Sequence, residues 1–194
     1  MHENFDLLRA IEKLLVRGNL DDARALARGI AEAPDEPGLS QFAAQAALVR
    51  TRAATLARAT RLDEACRAEA RVAEACAGCH VAASAAPQFN PPARVPHDAP
   101  TIEARMTRHL WATDRLWEGV VGGDDESWQA GLAILAASPS PEMQTTPERA
   151  KLARRLQQLA DSARRGDRTD APAGRATSYG EILMTCASCH VSTK

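Results

Sequence analysis

Apolar residues recur along this chain at the spacing of one face of a helix. Phe5, Leu8, Ile11 and Leu15 follow that spacing, and the pattern stops at Gly18, a residue suited to a helix C-terminus. A second helix is predicted over 21–33, opened by the capping stretch from Asn19 to Asp22 and broken by Pro34 and Pro37. Phe42, Ala46, Val49, Ala53 and Leu56 mark a third, and a fourth runs from about Leu62 to the end of a cysteine-rich string at 76–80. The second half repeats the plan, with helices predicted over 101–121, 125–137, 147–165 and 178–190. All 11 prolines fall between these segments or at their starts, as helices require. The expected fold class is all-α.

Shifted by 105 residues, the chain overlays itself. Met1 falls on Met106, Phe5 on Leu110, Ile11 on Leu116, Leu15 on Val120, Gly18 on Gly123, Asn19 on Asp124 and Pro34 on Pro139. Near the ends of the two halves the offset grows to 110, so about five extra residues are expected in the polar stretch 166–175. Two copies of one unit explain this self-similarity. The expected organisation is two tandem four-helix bundles, 1–83 and 101–194. Between them, 84–100 carries Pro87, Pro91, Pro92, Pro96 and Pro100 and reads as an extended linker.

Composition narrows the function classes. Formal net charge is -1, which leaves neither a broad basic footprint for nucleic acid nor an acidic tail. Aromatics make up 4%, too few for the strands of a β-sandwich or barrel, whereas abundant Ala and Arg favour helix. No apolar run approaches the ~18 residues of a membrane span.

The chemistry lies in the cysteines. Cys76-Ala77-Gly78-Cys79-His80 and Cys186-Ala187-Ser188-Cys189-His190 are both C-x-x-C-H, the attachment signature of c-type haem. The two thiols add to the haem vinyl groups as thioethers, and the adjacent His reaches one axial face of the iron. Residues three apart share a helix face, so both sulfurs and the imidazole converge on one porphyrin. A structural zinc site would need a fourth ligand nearby, and a thioredoxin-like C-x-x-C would sit beside a βαβ pattern. Cys66 has no cysteine at its repeat-equivalent position and is expected to be a buried or free thiol.

A four-helix unit with C-x-x-C-H at the end of its last helix resembles the class II c-type cytochromes, the cytochrome c′-like family. The first helices, ending in Val-Arg-Gly-Asn and Val-Gly-Gly-Asp, are similar to that family as well. The resemblance covers nearly the whole chain, twice over. It implies two covalently bound haem c groups, held by Cys76, Cys79, Cys186 and Cys189, with His80 and His190 as proximal iron ligands. It also implies electron transfer or, where the iron keeps an open site, binding of NO or CO. No residue set points to an enzyme.

In the resembled family the distal position comes from the first helix. Met1 and Met106 begin the two first helices and are the leading candidates, since thioether with imidazole is a standard axial pair. His109 competes at the second site and His2 at the first; the repeat counterpart of His109 is Asn4, a poor ligand. Leu8, Leu110 and Thr113 are candidates for the distal wall. Trp111, Trp117 and Trp128 occur only in the second half, and core packing or a haem edge would suit them. His97 is expected in solvent. The acidic run Asp124-Asp125-Glu126 is expected to serve a helix N-terminus.

The expected partners are redox proteins or a larger electron-transfer complex. Neither nucleic acid nor a membrane span in this chain is expected. With 21 Arg and 3 Lys, the surface is not a Lys-ringed docking face. Haem c is attached outside the cytoplasmic membrane, so a periplasmic or otherwise exported location is implied. The start Met1-His2-Glu3-Asn4-Phe5 lacks the features of a signal peptide, so an export signal is expected upstream or from another component.

Overall fold

A computed structural model describes residues 2–34, 37–85, 87, 89, 94–137, 146–166 and 172–191. Among the described residues the chain forms eight α-helices, one 3₁₀ turn (Pro37–Phe42) and no strand. The fold is all-α. The helices are α1 (His2–Val16), α2 (Leu20–Ala31), α3 (Ala43–Ala57), α4 (Leu62–Ala82), α5 (Ile102–Val121), α6 (Asp125–Ala136), α7 (Pro147–Arg164) and α8 (Pro172–Val191).

The repeat is visible in the helix boundaries. α2 and α6 have the same length, 12 residues, and α6 begins 105 residues after α2. Each is entered through a left-handed glycine, Gly18 at φ 75° and Gly123 at φ 69°, a conformation a side chain would strain. A capping residue follows: Asn19 accepts from the Asp22 amide at 3.3 Å, and Asp124 from the Glu126 amide at 3.0 Å. The cap role expected for the acidic run is thus met by Asp124. α7 has 18 residues against 15 in α3, so part of the extra length is a longer third helix.

α8 begins at Pro172, six residues before the expected start at 178. A proline in the first helical turn lacks only an N–H that would have no intrahelical partner. Arg175, in that turn, is buried, donates to the Gly119 carbonyl at 3.3 Å and pairs with Asp125. Tertiary contacts therefore extend the helix over a stretch that reads as a polar loop.

Each half packs in sequence, α1 on α2, α2 on α3 and α3 on α4, with α4 returning to α1; α5 to α8 repeat the cycle. The halves are not held apart by the 84–100 segment. α4 and α8 pack extensively against each other, and α1 and α5 each touch both. α4 and α8 are antiparallel: Arg67 meets Met184 (Nη2 to Sδ, 3.6 Å) and Arg71 meets Thr177 (Nη2 to Oγ1, 3.1 Å). At their closest approach a Cβ on Gly180 would lie 3.2 Å from Arg67 Cα and 3.3 Å from Ala70 Cβ. Gly180 and Ala70 are 110 residues apart, the offset of the two cysteine strings, so matching positions of α4 and α8 meet at the crossing.

The buried apolar residues of both halves form one continuous cluster. Ile11, Leu15, Leu56, Leu116, Leu132 and Ile182 are fully buried, each contributing about 2 kcal/mol of apolar transfer free energy. Among the described residues no helix is long and apolar enough to cross a membrane.

Candidate functional site

The two C-x-x-C-H strings occupy the C-terminal turns of α4 and α8. Because these helices are antiparallel and cross near Ala70 and Gly180, the strings point to opposite ends of the molecule. At 1.5 Å per residue, each His lies about 15 Å along its helix from the crossing. All five cysteines are free thiols. Burial pushes the thiols of Cys76 and Cys186 up to about 12, with a smaller rise for Cys189. The expectation for Cys66 holds: it is a fully buried free thiol.

At the first string, the His80 ring is fixed by the other half of the chain. Its Nδ1 lies 3.1 Å from the Val121 carbonyl at the end of α5. A carbonyl only accepts, so Nδ1 carries a proton here, and in the neutral ring this leaves the lone pair on Nε2. A metal-ligating imidazole characteristically makes this bond with its other ring nitrogen. Close by, Phe89 packs against Gly122, where a Cβ would come within 2.7 Å of its ring. Phe5 meets Trp117 edge-on with centroids 4.5 Å apart, and Phe89 lies 6.1 Å from the same ring. An aromatic wall from α1, α5 and the 84–100 segment therefore stands beside the first string.

At the second string, His190 and His109 lie close enough to interact electrostatically. Burial, with help from Arg105, His190 and Arg108, lowers His109 to about 4, so its imidazole is neutral at physiological pH. Burial lowers His190 as well. Arg149 of α7 lies near Cys189. This end thus combines two imidazoles within electrostatic range of each other, two thiols and the guanidiniums of Arg105, Arg108 and Arg149.

These residues fit haem c. Each string offers two thiols three residues apart beside an imidazole on a helix end, and His80 has its free nitrogen defined. The arginines near the second string suit the two propionates of a haem. Among the described residues no group of three or more His, Cys, Asp or Glu side chains forms a cage for a bare metal ion.

The other candidates fall in varied places. Met106 is half-buried on α5, one turn before His109. Met1 and the side chain of His2 lie outside the described residues. Leu8 is buried in the core and Thr113 is buried with its hydroxyl on the Leu110 carbonyl, whereas Leu110 is 54% exposed. Trp117 and Trp128 are buried, the latter against Gly119 and beneath Arg175, and Trp111 is half-buried with Arg115 over its ring. His97 is exposed, as expected.

Sequence reading missed the Val121 carbonyl and the role of Phe89. A backbone acceptor leaves no trace in residue type, and Phe89 sits in a segment that reads as linker. It also missed Arg105, Arg108 and Arg149, which look like solvated helix charges; only the spacing of Arg105 and Arg108 from His109 could have drawn attention to two of them. Compared with known protein families, curated proteins and solved structures, the chain has no match, so its reading rests on these residues and their arrangement.

Proposed function

We propose that this chain is a dihaem c-type cytochrome that carries electrons. In this reading it is two tandem four-helix units, each holding one haem c at the end of its last helix. The observation that carries the proposal is the pair of C-x-x-C-H strings at equivalent helix ends, one with its histidine tautomer set for iron. Cys76, Cys79 and His80 hold the first haem, and Cys186, Cys189 and His190 the second. When bound, the haem supplies a one-electron couple; the protein sets its axial field, local dielectric and exposure.

His109 is the distal ligand we assign to the second haem. It lies on α5 within electrostatic range of His190, is half-buried, and is neutral at physiological pH. Met106, one turn away, is the competing donor. For the first haem the donors are those at the start of α1, Met1 and His2. Unlike ligand sets would give the two haems different potentials, bis-imidazole lying below imidazole–thioether. The location that goes with this chemistry is outside the cytoplasmic membrane, and the partners are one-electron donor and acceptor proteins.

The test is a spectrum and a gas titration. The account predicts low-spin, six-coordinate spectra in both oxidation states and no rapid CO uptake by the reduced protein. Immediate binding of one or two CO per chain would make the alternative, a gas-binding cytochrome with one or both irons open, the better reading.

A further inference from the structure

Midway between the two strings, the core buries two carboxylates, one from α4 and one from α1. Glu69 of α4 is completely buried, and neither of its oxygens has a hydrogen-bond partner. Glu12 of α1 is 3% exposed and interacts with it electrostatically. Tyr179 of α8, also completely buried, has its hydroxyl beside Glu12 but outside full hydrogen-bond geometry. Arg9 bonds Glu12, but it is divided: its other nitrogen is held by Asp114 of α5, and its guanidinium lies 4.9 Å above the Trp117 ring.

One shared guanidinium does not neutralise two buried carboxylates. An unpaired ion in such a place is far costlier than the neutral acid, and like charges close together cannot both ionise. Burial raises both groups, Glu69 well above the ordinary carboxylate value, and the neighbouring Glu12 raises Glu69 further. The other charged group acting on the pair is Lys13 of α1, whose pull on Glu12 is weaker than that of Arg9. The buried thiol of Cys66 also feels Glu69 and, being raised itself, stays uncharged, while Cys76 and Cys186 carry no ionisable proton once they are haem thioethers.

We propose that Glu12 and Glu69 form a proton-binding site beside the α4–α8 crossing, holding one proton between them and gaining affinity for a second when either haem is reduced. The proposal rests on the haem reading above. The step balances: a one-electron donor protein reduces ferric to ferrous iron, and water supplies the proton that converts a carboxylate to the acid. Oxidation reverses both. Glu69 lies about 16 Å along α4 from His80, and the site is similarly placed with respect to His190. At that range and an effective dielectric of about 20, one added electron strengthens proton binding roughly sixfold. The effect is modest, and it serves both haems equally.

Infrared spectroscopy and redox titration of the two-haem protein test this, with haem content measured first. The wild type is expected to show the carbonyl stretch of a protonated carboxylic acid at neutral pH. Its titration midpoint should rise by somewhat under one pH unit on reduction, and haem potentials should fall with rising pH. Glu69→Gln should remove the band and flatten most of that pH dependence; Glu12→Gln, used if Glu69→Gln does not fold, should keep the band, since Glu69 stays buried and unpaired, and flatten the pH dependence. With two haems present, a missing band, or potentials with the same pH slope in wild type and variant, would overturn the proposal. Absence of haem would instead overturn the functional reading, and the redox-linked site with it.

Discussion

Arg9 and Asp114 form an ion pair between the two halves of the chain, and they occupy equivalent positions of the repeat, 105 residues apart. On a two-fold axis, a residue meets its own copy. An arginine facing an arginine there would repel, whereas a fused repeat lets one copy become its complement. Ala70 and Gly180 meet at the α4–α8 crossing, with Glu69 and Tyr179, also repeat-equivalent, beside them. At both contacts, positions that correspond in the repeat carry unlike residues.

The Arg9–Asp114 pair is partly open to water, with Asp114 37% exposed, so its own contribution is small. Asp114→Ala should cost about 0.5–1 kcal/mol in urea unfolding. Arg9→Ala should cost more, because it also leaves Glu12 without its cation and uncovers the Trp117 ring. A double-mutant cycle that finds no coupling between positions 9 and 114 would remove this contact from the account.

Gly180 is where α4 and α8 come closest, and there is no room for a larger side chain. Gly180→Leu should destabilise the protein by about 1–3 kcal/mol through overpacking. Gly29→Leu, at a helical position with open space around it, serves as the control and should be neutral or slightly stabilising, since Leu favours helix over Gly. Equal losses at the two sites in thermal unfolding would show that the helix crossing is not a tight contact.

Helix type, helix order and the repeat were legible because 3.6-residue periodicity and Pro/Gly punctuation are local signals. Gly18, Asn19 and their copies Gly123 and Asp124 take the backbone roles that their residue types suggested. The start of α8 was not legible, since Arg175 joins that helix only by reaching Gly119 and Asp125 some 50 residues away in sequence. The joining of the halves was hidden for a related reason: prolines in 84–100 look the same whether the flanking units separate or pack. At the site, thiols and imidazoles are readable as motifs, but the Val121 carbonyl is not. Glu69 was overlooked because a Glu set among Arg, Ala and other Glu in a helix reads as a solvated residue.

Stability should depend on pH through Glu69. Its carboxyl is raised in the folded state and ordinary in the unfolded one, where it titrates near 4.3. Above that value the unfolded chain releases the proton while the native state keeps it. Stability then falls as pH rises, by about 1.4 kcal/mol per pH unit for one group, until the native carboxyl itself ionises. Glu69→Gln cannot lose a proton, so its advantage over wild type should be small at pH 4 and larger at pH 7. Denaturant unfolding at the two pH values checks this, and an advantage that shrinks with rising pH would contradict it.

Substitutions on α5 separate the two distal donors of the second site. His109→Ala should turn one of the two haems five-coordinate and high-spin, and that haem alone should bind CO. Met106→Ala should leave both spectra unchanged. The reverse pattern would assign the iron to the thioether.

The most direct test of the account is a pyridine haemochrome assay on chain produced with a c-type haem attachment system. It should give two haem c per chain, falling to one in Cys76→Ser/Cys79→Ser and to one in Cys186→Ser/Cys189→Ser. A folded chain that acquires no haem under those conditions would contradict it.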